Sequence, residues 1–270
     1  MERRGLDAQG YFEREGSLGR VQEGFRGVVA AARERIGEAY GQRLHSAYLY
    51  GSVPRGTARP GRSDLDLLVV LHREPSAEDR DTAEVLADGL DEEFPEIDGV
   101  GILLHDKATV LSEEERYDFG WFLACLCTPL LGADLAEHLP RYRPDSLLAR
   151  ETNGDLALLL PRWRDRVREA SAPDEYRVLS RAFARRLVRT GFTLVMPLWG
   201  GWTSDLAESA EIFGRYYPQR AAQLRDAAAV ALDPVADPEV LREYTEDLGP
   251  WLAREYAARH GVKRPRTEPS

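Results

Sequence analysis

The alternation of apolar and polar positions divides the chain into two textures. In residues 18 to 40, Val21, Phe25, Val28, Val29 and Ile36 recur at spacings that predict an amphipathic helix. A strand is expected over 44 to 50, then a loop of small and basic residues, then the dense apolar run "LDLLVVLH", which reads as a strand buried within a sheet. Residues 76 to 93 open on a serine suited to an N-cap and carry apolar residues at helical spacing. "EIDGVGILLH" reads as a third strand ending at His105. The order helix, strand, loop, strand, helix, strand defines a mixed α/β unit closing near residue 110.

Beyond that point the strand signals stop. Residues 113 to 138, 151 to 170, 174 to 195, 203 to 230 and 237 to 260 all read as helices, separated by proline- and glycine-bearing breaks such as "LPRYRP" and "MPLWGGW". The expected fold class is α+β: a small mixed-sheet domain over 1–110, then an all-α helical bundle over 111–260. The polar, proline-bearing end, 261–270, reads as a disordered tail.

Composition narrows the possible functions. The 270 residues suffice to bury two ordinary cores. The charged start lacks a signal-peptide core, and no apolar run approaches the roughly 18 residues needed to span a bilayer, so a soluble cytoplasmic protein is expected. A net charge of -10 argues against a nucleic-acid track, which usually shows a basic face. Cys125 and Cys127 have no second Cys/His cluster to complete a zinc site and read as buried small hydrophobes. The five histidines are scattered, which supports neither a metal site nor a Ser-His-Asp triad.

The chemistry concentrates in "YLYGSVPRGTARPGRSDLDLLVVL", residues 48 to 71. Gly51 lets the backbone turn sharply and approach a ligand, and Ser52 offers a hydroxyl and an N–H, a pair suited to gripping phosphate. Asp64 and Asp66 follow, and on an extended strand residues i and i+2 project from one face about 6 to 7 Å apart. Two carboxylates so placed repel without a cation and suit Mg²⁺, which prefers hard oxygens and completes its shell with substrate phosphates. A surface turn explains a lone Asp-x-Asp; it does not explain Gly-Ser, spacer, Asp-x-Asp and a buried strand together.

That combination resembles the signature of the DNA polymerase beta-type nucleotidyltransferase superfamily, over roughly residues 20 to 110. The layout of a small α/β domain followed by helices is similar to the aminoglycoside nucleotidyltransferases of streptomycin/spectinomycin type, which implies a role in antibiotic resistance. The resemblance implies transfer of a nucleoside monophosphate, AMP from ATP, to a hydroxyl of a small polar acceptor, with two Mg²⁺ ions and release of pyrophosphate. It also implies a third carboxylate on a neighbouring strand, a metal ligand or general base. Strand parity puts Glu96 and Asp98 on one face, and Asp98, nearer the apolar core, is preferred.

The helical half offers further candidates. Arg177, Arg181, Arg185 and Arg189 recur every four residues on one ridge of the helix over 174 to 195. Arg181 and Arg185 are favoured for triphosphate binding, because the similar enzymes close their helical domain over nucleotide and acceptor. Trp202 and Asp205 suit an acceptor, the ring by stacking and the carboxylate by pairing with an ammonium. The alternatives are a nucleotidyltransferase acting on protein or RNA and a non-catalytic nucleotide-binding regulator.

Overall fold

The computed structural model describes residues 4–263. The chain separates into two compact units, one of Glu13–Arg141 and one that joins the residues up to Phe12 to those from Tyr142 onward.

The first unit is built on a sheet of four strands among the described residues, in the order β3-β2-β1-β4. The strands are β1 (Leu44–Tyr50), β2 (Leu65–Leu71), β3 (Val100–Asp106) and β4 (Thr128–Gly132). β1 runs antiparallel to β2 and β4, while β2 and β3 are parallel. Around them lie α1 (Arg26–Tyr40), the single turn α2 (Ser52–Arg55), α3 (Ala77–Glu93), and two further short helices, α4 (Lys107–Val110) and α5 (Phe119–Trp121).

The unbroken apolar run of β2 has a direct cause, since its two faces feed two different cores. Leu65, Leu67, Val69 and Leu71 pack with Val28, Ala32, Ile36 and Leu90 of α1 and α3. Leu68 and Val70 pack on the other face with Tyr48, Val110, Leu123 and Cys127. Full burial of each such side chain contributes on the order of 1.5–3 kcal/mol, and a strand covered on both sides must be apolar at every position. Asp66 is the exception, at the open end of the second face.

α3 starts where the sequence places it. Ser76 Oγ accepts from Asp79 N at 3.2 Å, and Asp79 Oδ2 accepts from Ser76 N at 3.0 Å. This reciprocal cap satisfies two otherwise orphaned donors.

Two boundaries differ from expectation. The segment 113 to 138 is not one helix: it holds α5, a wide π-type turn over Phe122–Leu126 and the strand β4. Its apolar residues cover the sheet, and Thr128–Gly132 pair with β1, so this unit extends to Arg141 instead of closing near 110. The residues before Phe12 belong to the second unit, where Phe12 N donates to Tyr142 O at 2.9 Å.

The second unit is helical: α6 (Ser146–Asn153), α7 (Leu156–Glu169), α8 (Pro173–Trp199), α9 (Leu206–Tyr216), α10 (Ala221–Leu232), α11 (Pro238–Glu243) and α12 (Gly249–His260). α8 is its central element, with an uninterrupted buried stretch from Thr190 to Met196. Gly191 permits close helix packing, because a Cβ there would lie 2.7 Å from Leu224 of α10. The expected helices 151–170 and 203–230 are each two, broken at Gly154 and Pro218. No helix among the described residues is long and apolar enough to cross a membrane. Most of the expected tail, 264–270, lies outside the described residues.

Candidate active site

Because β1 and β2 are antiparallel, the end of β1 meets the beginning of β2, and Tyr50 pairs with Asp66. The next residue, Gly51, has φ +79°, and a Cβ there would lie 2.2 Å from Asp66 Oδ2. The Asp66 carboxylate therefore occupies the space of the missing side chain, against bare backbone. Ser52 then opens α2, which Gly56 closes in the left-handed conformation, and Ser52 O accepts from Thr57 N at 3.1 Å. The Ser52 hydroxyl is half-buried and has no hydrogen-bond partner among the described residues.

The loop between α2 and β2 is tied at several points. Arg59 N donates to Ser63 Oγ at 2.9 Å and Ser63 N returns to Arg59 O at 3.1 Å. Gly61 N donates to Glu96 O at 2.9 Å, Asp98 N to Ser63 O at 3.1 Å and Leu65 N to Gly99 O at 2.9 Å. These bonds hold Asp64 and Asp66, both half-buried, on either side of the fully buried Leu65. Asp64 has neither an ion pair nor a side-chain hydrogen bond among the described residues, so its carboxylate is available to a ligand. Of the loop arginines, Arg55 approaches Glu15 at 3.6 Å, while Arg59 and Arg62 are exposed.

Glu96 and Asp98 do not share a strand face. β3 begins at Val100, so Glu96 and Asp98 precede the strand, in a turn and a bend, and Asp98 is exposed. Gly99 has φ +127°, a backbone setting that ends the strand's alternation there. Among the described residues no group of three His, Cys, Asp or Glu side chains is placed to hold one metal ion, so Asp64, Asp66 and Asp98 do not form such a set. The residue beside Asp66 on β3 is Gly101. Its signal was the irregular "GVG" in an otherwise apolar strand.

Beneath the site the cysteines are buried and free. Burial pushes the Cys125 thiol up to about 12. Cys127 rises well above the ordinary range, first through burial and to a smaller degree through nearby charges that include Asp66. Neither thiol ionises near neutrality, as expected of packing residues.

In the helical unit, Arg181 and Arg185 are half-buried on α8, whereas Arg177 pairs with Asp174 at 2.7 Å. Trp202 belongs to an aromatic cluster, edge-on to Phe12 and Phe192 at centroid distances of 6.0 and 5.4 Å, and its Nε1 donates to Ser204 Oγ at 3.3 Å. Asp205 is the N-cap of α9, accepting from Glu208 N at 2.8 Å. The spacing Asp205-x-x-Glu208 was a legible capping signal.

Residues 30–117 match the family of nucleotidyltransferase domains. The stretch includes β1, the Gly51–Ser52 turn, both aspartates and β3, so the chain carries a nucleotidyltransferase domain over these residues. In fold it resembles the spectinomycin adenyltransferase AAD(9) of Enterococcus faecialis, solved with ATP and spectinomycin: TM-score 0.53, 14% identity, 85% of this chain and 98% of that one covered. No curated protein matches the chain by sequence.

Proposed function

We propose that the enzyme transfers AMP from ATP to a hydroxyl of a small polar acceptor of the aminoglycoside kind, in a Mg²⁺-dependent reaction that releases pyrophosphate. The observation that carries this reading is the Asp66 carboxylate seated on Gly51, next to the Ser52 turn and two residues from Asp64. Support for the acceptor class is the fold shared with an adenyltransferase solved with ATP and spectinomycin.

The donor set suits magnesium: two hard carboxylates, one without a protein partner, beside a turn able to hold phosphate. Asp64 and Asp66 would hold it, and when bound it neutralises phosphate charge during displacement at phosphorus. The protein otherwise acts by position. Ser52 would hold the outer phosphates through its hydroxyl and N–H. The acceptor oxygen forms its bond to the α-phosphorus as the bond to the pyrophosphate oxygen breaks, and the hydroxyl proton passes to a nearby base. Arg181 and Arg185 are assigned to phosphate, and Trp202 and Asp205 to the acceptor. For these four the proposal predicts raised KM on substitution, for nucleotide and acceptor respectively.

The test is pyrophosphate release from each nucleoside triphosphate with Mg²⁺ and a panel of polyhydroxylated amines. Release with ATP and an acceptor, abolished in Asp66→Asn, supports the reading. Silence across the whole panel with folded protein contradicts it.

A further inference from the structure

We propose that this site is built from two protein carboxylates only and holds one divalent cation per bound nucleotide, with β3 leaving empty the place of a third ligand. The inference refines the proposed function and rests on it. β2 and β3 are parallel and in register, so Asp66, Leu68 and Val70 stand beside Gly101, Leu103 and His105 on one face of the sheet. None of these three is a carboxylate.

A Cβ built on Gly101 would have Asp66 Oδ1 at 3.6 Å as its one close neighbour, and a Cβ on Gly99 would have Asp64 Oδ1 at 3.9 Å. The two positions beside the aspartates, Gly99 just before β3 and Gly101 within it, are therefore glycines; at Gly101 the contact is an ordinary one that leaves room for a side chain, whereas the positive φ of Gly99 disfavours one. The one acidic residue within β3, Asp106, sits at the strand's far end, on the opposite face. It caps α4 through bonds from Thr109 N at 2.9 Å and Thr109 Oγ1 at 2.6 Å. Burial disfavours its charge, but those bonds outweigh burial and hold the carboxyl below its usual range. No third metal-ligating side chain joins the pair from elsewhere among the described residues.

Two carboxylates and nucleotide phosphates are enough for one Mg²⁺, which commonly keeps several waters. A second ion beside it would have to share those two carboxylates, with like charges close together and only the nucleotide phosphates left to offset them. The space over Gly101 is where an added carboxylate would supply a further protein anion.

The experiment is equilibrium dialysis of the full chain with Mn²⁺ and a non-hydrolysable ATP analogue, counting ions retained per nucleotide retained. Wild type should retain one. Gly101→Asp should retain two, while Gly101→Asn, of the same size without the charge, should retain one. Asp98→Ala should also retain one; loss of the ion there would make Asp98 a ligand and overturn the proposal. Two ions in wild type would overturn it while leaving the nucleotidyltransferase reading intact. Retention of nucleotide without any ion would overturn both. The wild-type count is decisive even if Gly101→Asp does not fold.

Discussion

Gly51 and Asp66 share one volume: the carboxylate of the second lies where the side chain of the first would be, 2.2 Å from an ideal Cβ. Glycine at 51 is thus required twice, by its positive φ and by its neighbour. Gly51→Ala should add strain of roughly 1–2 kcal/mol from the backbone alone. It should also displace Asp66, and a misplacement of this order lowers kcat about 100-fold or more. Circular dichroism should show an intact fold beside the lost turnover.

Asp64→Asn and Asp66→Asn remove charge with little change of volume. Each should abolish Mn²⁺ retention and reduce turnover by at least about 100-fold, the scale seen when positioned electrostatic groups are removed. Asp64→Asn should not lower the melting temperature, since the Asp64 carboxylate has no side-chain partner among the described residues. Full activity in Asp66→Asn would refute the metal assignment.

The Ser76–Asp79 cap is structural. Ser76→Ala should destabilise the sheet unit by about 1 kcal/mol, measured by urea unfolding, and leave KM for ATP unchanged.

His260 supplies a pH test of the helical unit. Its ring is buried, with Nδ1 near Ser146 Oγ at 3.0 Å and Nε2 near Leu194 O at 2.9 Å. Burial lowers its pKa from 6.5, and the bond to Leu194 O only partly offsets this. A depressed histidine contributes its full stability above its unfolded value, and that contribution is lost as pH falls below about 6.5. The melting temperature should drop between about pH 7.5 and 5.5. His260→Gln should show a shallower drop, and an equal one would remove His260 as the cause.

What the sequence revealed follows from how local each signal is. β1, β2, α3 and α8 were legible because a buried strand, a serine cap and a long amphipathic run announce themselves within their own residues. β4 was hidden because "TPLLG" follows a helical turn and resembles the apolar stripe of the helix it interrupts; only its pairing with β1 makes it a strand. Gly51, Ser52, Asp64 and Asp66 stood out because their spacing is a local motif. The strand parity used for Asp98 depended on where β3 begins, and that start, at Val100, is fixed by bonds to Ser63 and Leu65, far away in sequence. Trp202 and Asp205 show a similar limit, since ring packing and helix capping already occupy features that also suit a ligand.

The central claim is transfer of a nucleotide to a small acceptor, and mass spectrometry of acceptor panels incubated with enzyme, ATP and Mg²⁺ tests it most directly. The expected product is an aminoglycoside-like acceptor heavier by one adenylyl group, with pyrophosphate formed in equal amount and neither product made by Asp66→Asn. AMP found instead on protein or RNA, or no adduct with any acceptor, would contradict it.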